Sequence, residues 1–214
     1  MKKSKIGFWV IWLVLVLLGP YFITKTVVFP KIFSDYGLTL NFLERVSGVS
    51  IFTLLFIQIV LGAYMEKLSD KLGNWVYKVY TIQGPVIYLL AIVHPFFQLI
   101  FNYKLFHTLD PFYIYTQVCF LCKNKTELLY SFGRLAFWFL TLDVFAAIFK
   151  NSDGWLKKNW KKLHLFNYYI VFFLVAIHGY FLGSDFKVFP LNYFFYTSIM
   201  FVLTTVILKL SRKI

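Results

Sequence analysis

The pattern of hydrophobic positions divides this chain into six long apolar segments separated by shorter polar ones. Leu, Val, Ile and Phe recur in long runs and not at amphipathic spacing, so most of each helix circumference must face apolar surroundings. Each run approaches the roughly 20 residues that an α-helix needs to cross the hydrocarbon core of a bilayer. We therefore predict six transmembrane helices, at 6–24, 45–65, 76–101, 129–149, 163–183 and 190–208.

The composition agrees with a membrane protein and excludes a soluble globule of this size. Hydrophobic residues make up 60% of the 214 residues and charged residues only 14%, whereas soluble domains are about 45–50% apolar and about 25% charged. The sequence predicts an all-α integral membrane protein, a six-transmembrane-helix bundle that forms a single domain over residues 1–214 in a lipid bilayer. It leaves no soluble domain for nucleic acid and no glycine-rich loop for a dinucleotide.

The distribution of basic residues predicts the orientation in the membrane. The chain has 22 Lys and Arg against 9 Asp and Glu. About twice as many of these basic residues fall on the side that holds both termini and the second and fourth loops. Because cytoplasmic loops carry an excess of Lys and Arg, we predict a multi-pass protein of the cell membrane with both termini in the cytoplasm.

One internal repeat relates the third and fifth predicted helices. A shift of 84 residues lays Tyr80 over His164 and His94 over His178, and the two helices cross the membrane in the same direction. Within each helix the two positions are 14 residues apart, which is close to four full turns and about 21 Å of rise. The sequence therefore predicts two levels, an inner one and an outer one, between these helices.

The outer level contains the strongest candidate for chemistry. Histidine inside a membrane is costly and is by default a functional candidate, and here His94 and His178 lie at one level on two helices. Neutral imidazole binds iron well, whereas no Cys or carboxylate accompanies the pair to complete a zinc site. We predict that His94 and His178 are the axial ligands of a b-type haem between helices three and five.

Three segments carry a family resemblance. They read RVSGVSIFTLLFIQIVLG at 45–62, KVYTIQGPVIYLLAIVHPFF at 78–97 and NWKKLHLFNYYIVFFLVAIHGYF at 159–181. Together they resemble the ferric reductase-like transmembrane domain family, whose pattern is matched most specifically by Val93-His94-Pro95 and by Trp160-x-x-Leu163-His164 with His178 downstream. The resemblance implies six helices, haem between helices three and five, and electron transfer across the membrane.

The chain departs from the two-haem members of that family at the inner level. Those members carry His where Tyr80 stands, and a protonated phenol with a pKa near ~10 is a weak ligand. In this respect the chain is similar to the haem-binding membrane subunit of the protein-methionine-sulfoxide reductase system. We expect one haem per chain, while His164 and Tyr80 hold a second haem, border a flavin or quinone, or simply pack together.

Two arginines and two cysteines complete the candidates on the outer side. We predict that Arg45 and Arg134 start helices two and four, where they either balance haem propionates or extend to lipid headgroups. Cys119 and Cys122 have the CxxC spacing of a redox disulfide or of half a metal site. Asp143, near the inner end of helix four, either relays a proton or is simply hydrogen-bonded.

These residues predict an electron-transfer component of an oxidoreductase, a membrane b-type cytochrome. Its donor is a cytoplasmic flavoprotein reductase or a quinol, and its acceptor is an outer-face reductase, an iron chelate or oxygen. One alternative is a membrane thiol–disulfide oxidoreductase that uses Cys119 and Cys122. The other is a transporter or scaffold in which the histidines line a path for protons or metal ions.

Overall fold

A computed structural model describes residues 2–26, 33–107, 110–149 and 154–211 of the chain. These residues form α-helices, a short 3₁₀ turn at Asp185–Lys187 and the connecting segments, with no β-strand among them. The helices are α1 (Lys2–Thr26), α2 (Tyr36–Ala63), α3 (Met65–Leu72), α4 (Trp75–Phe106), α5 (Pro111–Thr116), α6 (Lys125–Ile148), α7 (Trp155–Leu182) and α8 (Leu191–Ser211).

Six of these helices are long and apolar enough to cross a membrane, which confirms the six predicted spans. All but the short helices α3 and α5 qualify by length and hydropathy. This pattern is typical of a multi-pass membrane protein. Lys31 and Lys150, which count toward the predicted orientation, lie outside the described residues.

Several predicted helix boundaries were too narrow because helices continue beyond their apolar runs. Helix α2 begins at Tyr36 and not near residue 45, since the side chain of Asp35 accepts a hydrogen bond from the Leu38 backbone N–H and caps the helix. The predicted outer loop at 102–128 contains the short helix α5, which is capped by Asp110. Polar capping residues, and not the edges of the apolar runs, thus determine where these helices begin.

Helices α2, α4, α6 and α7 leave a space between them in the middle of the molecule. Helix α2 packs against α1, α4, α7 and α8, and α6 packs closely against α7 and also against α4. Within the described part of the chain, α4 and α7 make no extensive backbone contact with each other. Side chains bridge this gap, and these include the two pairs that the repeat predicts.

Candidate functional site

His94 and His178 face each other across this gap, as the 84-residue offset predicts. His94 comes from α4 and His178 from α7, and their ring centroids are 6.4 Å apart with the ring planes at 83°. Metal–nitrogen bonds of about 2 Å on either side of one ion would separate two imidazole centres by about 6 Å. The observed spacing therefore fits two imidazoles that share a single iron.

The hydrogen bonds of the two rings fix which nitrogen carries the proton. Nδ1 of His94 lies 2.9 Å from the hydroxyl of Ser47, which itself lies 2.9 Å from the Glu44 carbonyl. With that hydroxyl assigned as the donor to the carbonyl, it accepts from Nδ1 of His94. Nδ1 of His178 lies 3.0 Å from the carbonyl oxygen of Leu129, which can only accept. Both neutral rings therefore carry hydrogen on Nδ1 and leave the Nε2 lone pair free for a metal.

Two glycines let neighbouring helices approach the histidine rings. A Cβ added to Gly133 on α6 would lie 2.8 Å from Cε1 and from Nδ1 of His178. A Cβ added to Gly48 on α2 would lie 3.2 Å from Cε1 of His94. Each imidazole thus rests directly on a helix backbone, which restricts its orientation.

The two rings line a cavity of about 620 Å³ between α2, α4, α6 and α7. This volume lies within the roughly 300–1,000 Å³ that is typical of small-molecule and cofactor sites. Both histidines keep some exposed surface because they face this space. The remaining walls are largely apolar and include Val49, Leu55, Ala91, Leu140, Val171 and Val175.

Arg45 borders the cavity, but it does not start its helix as predicted. Because α2 begins at Tyr36, Arg45 lies well inside that helix. Its guanidinium forms a two-pronged ion pair with the buried Asp185, in which Nε donates to Oδ2 at 3.0 Å and Nη2 donates to Oδ1. The pair joins α2 to the turn before α8, so Arg45 has an internal partner and does not simply extend to headgroups.

Arg134 also borders the cavity and also lies inside its helix, since α6 begins at Lys125. The buried guanidinium donates to Glu127 at 3.2 Å, to the Ile114 carbonyl at 3.1 Å and to the Gln117 carbonyl. Burial is the main cause that raises the pKa of the adjacent Tyr113 phenol, and its hydrogen bond to Glu127 raises the pKa further. Arg134 therefore ties the outer loop to α6 as well as facing the cavity.

At the inner level, Tyr80 and His164 are in direct contact. The Tyr80 hydroxyl lies 3.1 Å from Nε2 of His164, which is a hydrogen-bond distance and too short to hold an iron ion between the two atoms. On the other side of the ring, Nδ1 of His164 lies 3.0 Å from Oδ2 of the buried Asp143, although the two atoms are not aligned as a hydrogen bond. Tyr80, His164 and Asp143 thus form a continuous polar row between α4, α7 and α6.

The two cysteines form a disulfide in the segment that precedes α6. His107 is exposed at the C-terminal cap of α4. Among the described residues no group of three or more His, Cys, Asp and Glu side chains could hold a bare metal ion. A haem iron needs only two protein ligands, because the macrocycle supplies the other four.

Sequence reasoning found the histidines but missed the groups that position them. Ser47, Gly48, Leu129 and Gly133 contact the rings through tertiary packing. The only local signal is a glycine close to each arginine, with Gly48 three positions after Arg45 and Gly133 directly before Arg134. Nothing in the hydrophobic pattern or in the repeat indicated that Asp185 and Glu127 pair with these arginines.

Comparison of the chain with protein-family models, with curated proteins and with solved structures finds no match. The functional interpretation therefore depends on this chain's own residues. The observations that matter most are the facing imidazoles, their hydrogen bonds and the cavity between them.

Proposed function

We propose that this protein is a membrane b-type cytochrome of the ferric reductase-like kind, the electron-transfer component of an oxidoreductase. The observation that carries the proposal is the pair of facing imidazoles, both hydrogen-bonded at Nδ1 and both free at Nε2. Their ring separation of 6.4 Å suits one shared iron.

His94 and His178 hold the haem in this proposal, and the haem supplies one-electron redox chemistry. Ser47 and the Leu129 carbonyl accept from Nδ1, which fixes each ring and raises the basicity of Nε2. Apolar side chains such as Val49, Leu140 and Val171 line much of the cavity. The protein thus contributes ligation, orientation and a largely apolar wall.

Arg45 and Arg134 supply countercharge for the haem propionates in this proposal. Both line the cavity, and a guanidinium offers five donors in a planar fork. Asp185 and Glu127 use some of those donors, so each arginine is held in place and still has donors left. Each carboxylate also limits the cost of burying its arginine, so the arginine acts on a propionate through its remaining N–H donors more than through net charge.

The protein carries one haem in this proposal, at the level of His94 and His178. The direct contact of Tyr80 with His164 favours a single haem. Since the two levels are about 21 Å apart along the helices, electrons from the cytoplasmic side need a carrier near the inner level. A bound flavin supplied by a cytoplasmic flavoprotein, or a membrane quinol, fills this role.

The donor side is cytoplasmic and the haem side faces outward. The exposed lysines Lys157, Lys158 and Lys162 on the first turns of α7 offer a basic surface to an acidic flavoprotein. The acceptor on the outer side is a reductase, an iron chelate or oxygen.

Membrane vesicles of both orientations test this proposal. Reduced flavin mononucleotide, kept reduced by NADH and a soluble flavin reductase under anaerobic conditions, is added to vesicles that contain the overproduced protein. Because the donor acts at the cytoplasmic face, we expect the haem α-band to appear rapidly in inverted vesicles and at least ten times more slowly in right-side-out vesicles. Vesicles with His94→Ala or His178→Ala provide the controls and should lack the band.

Equal rates from both sides would contradict the orientation. The absence of any haem band in vesicles from haem-sufficient cells would contradict the cytochrome itself.

A further inference from the structure

The disulfide between Cys119 and Cys122 lies on the same side of the bundle as the histidine pair. In the chain, the disulfide comes after the end of α4 and before the start of α6. His94 lies in the half of α4 that is nearer to that end, and the first turns of α6 contact His178. Both cysteines are partly exposed, while Phe120 and Leu121 between them are 62% and 98% exposed. The segment that carries the disulfide therefore lies at the surface.

The segment that carries the disulfide is fixed to the helix directly behind His178. The backbone N–H of Cys119 donates to the hydroxyl of the buried Ser131 at 2.8 Å. Ser131 lies on α6 two positions after Leu129, whose carbonyl accepts from His178. A chain of two hydrogen bonds and a short piece of α6 backbone thus connects the disulfide to an imidazole of the site.

The chain next to Cys122 carries two features that stabilise thiolates in proteins. Cys122 stands just before the N-terminus of α6, which begins at Lys125, and the exposed Lys123 and Lys125 flank that start. Helix N-termini and nearby cations stabilise a thiolate. A disulfide whose reduced form is stabilised in this way is readily reducible, unlike a purely structural one.

We propose that Cys119 and Cys122 form a redox-active disulfide that is the first electron acceptor on the outer side, an inference that rests on the proposed function. The S–S bond breaks as the pair takes up two electrons, one at a time from the electron-transfer path, and two protons. Two thiols result. Because a dithiol passes on an electron pair by thiol–disulfide exchange, the reaction that consumes this product is the reduction of a substrate disulfide.

Electron counting tests the inference. Purified haem-loaded protein in lipid nanodiscs is titrated anaerobically with photoreduced deazaflavin, and the thiols are counted by mass after alkylation. We expect about three electrons per chain, one for the haem and two for the disulfide, together with two new thiols. The variant Cys119→Ser/Cys122→Ser should keep its haem spectrum and take up about one electron, a threefold lower uptake.

A second variant separates reduction through the site from direct reduction of the disulfide. His178→Ala should gain no thiols on the time scale on which the parent protein gains two. One electron per chain and no new thiols in the unmodified protein would overturn the disulfide assignment while leaving the cytochrome intact. Equal thiol formation in His178→Ala would also overturn it, and a protein that binds no haem would overturn the proposed function itself.

Discussion

His94 and His178 each depend on one hydrogen bond that fixes the ring proton on Nδ1. Loss of either imidazole leaves the iron with a single protein ligand. We therefore predict that His94→Ala and His178→Ala each abolish the six-coordinate low-spin haem spectrum. His107→Ala is the matched control, because His107 is exposed at the end of α4. Low-spin spectra that persist in both ligand variants would contradict the assignment.

Gly133 tests how closely the α6 backbone must approach the site. An added methyl group would meet the ring of His178 at 2.8 Å, so the ring would have to move away from α6 and strain its hydrogen bond from Nδ1 to the Leu129 carbonyl. We predict that Gly133→Ala displaces the imidazole and lowers the haem content by at least about half. In Gly7→Ala the new methyl group meets nothing within 4 Å, so haem content should not change. Equal haem content in the two purified variants would show that the close approach is unimportant.

At the scale of elements, the ion pair of Arg45 with Asp185 holds α2 to the turn before α8. Asp185 is 6% exposed, so Asp185→Asn leaves a partly buried guanidinium without its counterion. We predict a loss of about 2 kcal/mol and a lower Tm in nanodiscs. Asp110→Asn is the control, since Asp110 is an exposed helix cap and Asn caps equally well. Identical Tm values would mean that the pair contributes little to stability.

The 84-residue repeat that relates α4 to α7 predicts the effect of one substitution at the inner level. Tyr80→His replaces a weak ligand with an imidazole at the position that corresponds to His164 in the repeat. We predict that the substitution raises the haem content from about one toward about two per chain. Tyr80→Phe, which removes the hydroxyl that contacts His164, should leave one haem. A content that stays at one in Tyr80→His would show that α4 and α7 are too close there for a macrocycle.

Hydropathy alone predicted the six spans, because lipid demands long apolar runs. The 84-residue offset alone predicted that His94 would meet His178, because parallel helices with a shared register bring equivalent positions to one level. Ser47 and Asp185 could not be predicted, since their partners are distant in sequence and depend on how the helices pack. The start of α2 was wrong because a single capping residue, Asp35, extends the helix beyond its apolar run.

At the scale of the whole molecule, two polar levels lie between the same pair of helices and differ in what they can hold. The outer level has a cavity of about 620 Å³ and two free Nε2 atoms. The inner level is closed by the contact of Tyr80 with His164 and is backed by Asp143. In the proposed function, this asymmetry places the single haem at the outer level and leaves the inner level without one.

The haem content of the purified protein, measured together with its reduced-minus-oxidised spectrum, tests the central claim most directly. The protein is produced in haem-sufficient cells, and haem is extracted and quantified against the chain concentration. The account predicts about one haem per chain with the sharp α-band of a bis-histidine b-type cytochrome. Protein that carries no haem would contradict the account, and two haems per chain would show that His164 and Tyr80 also ligate iron.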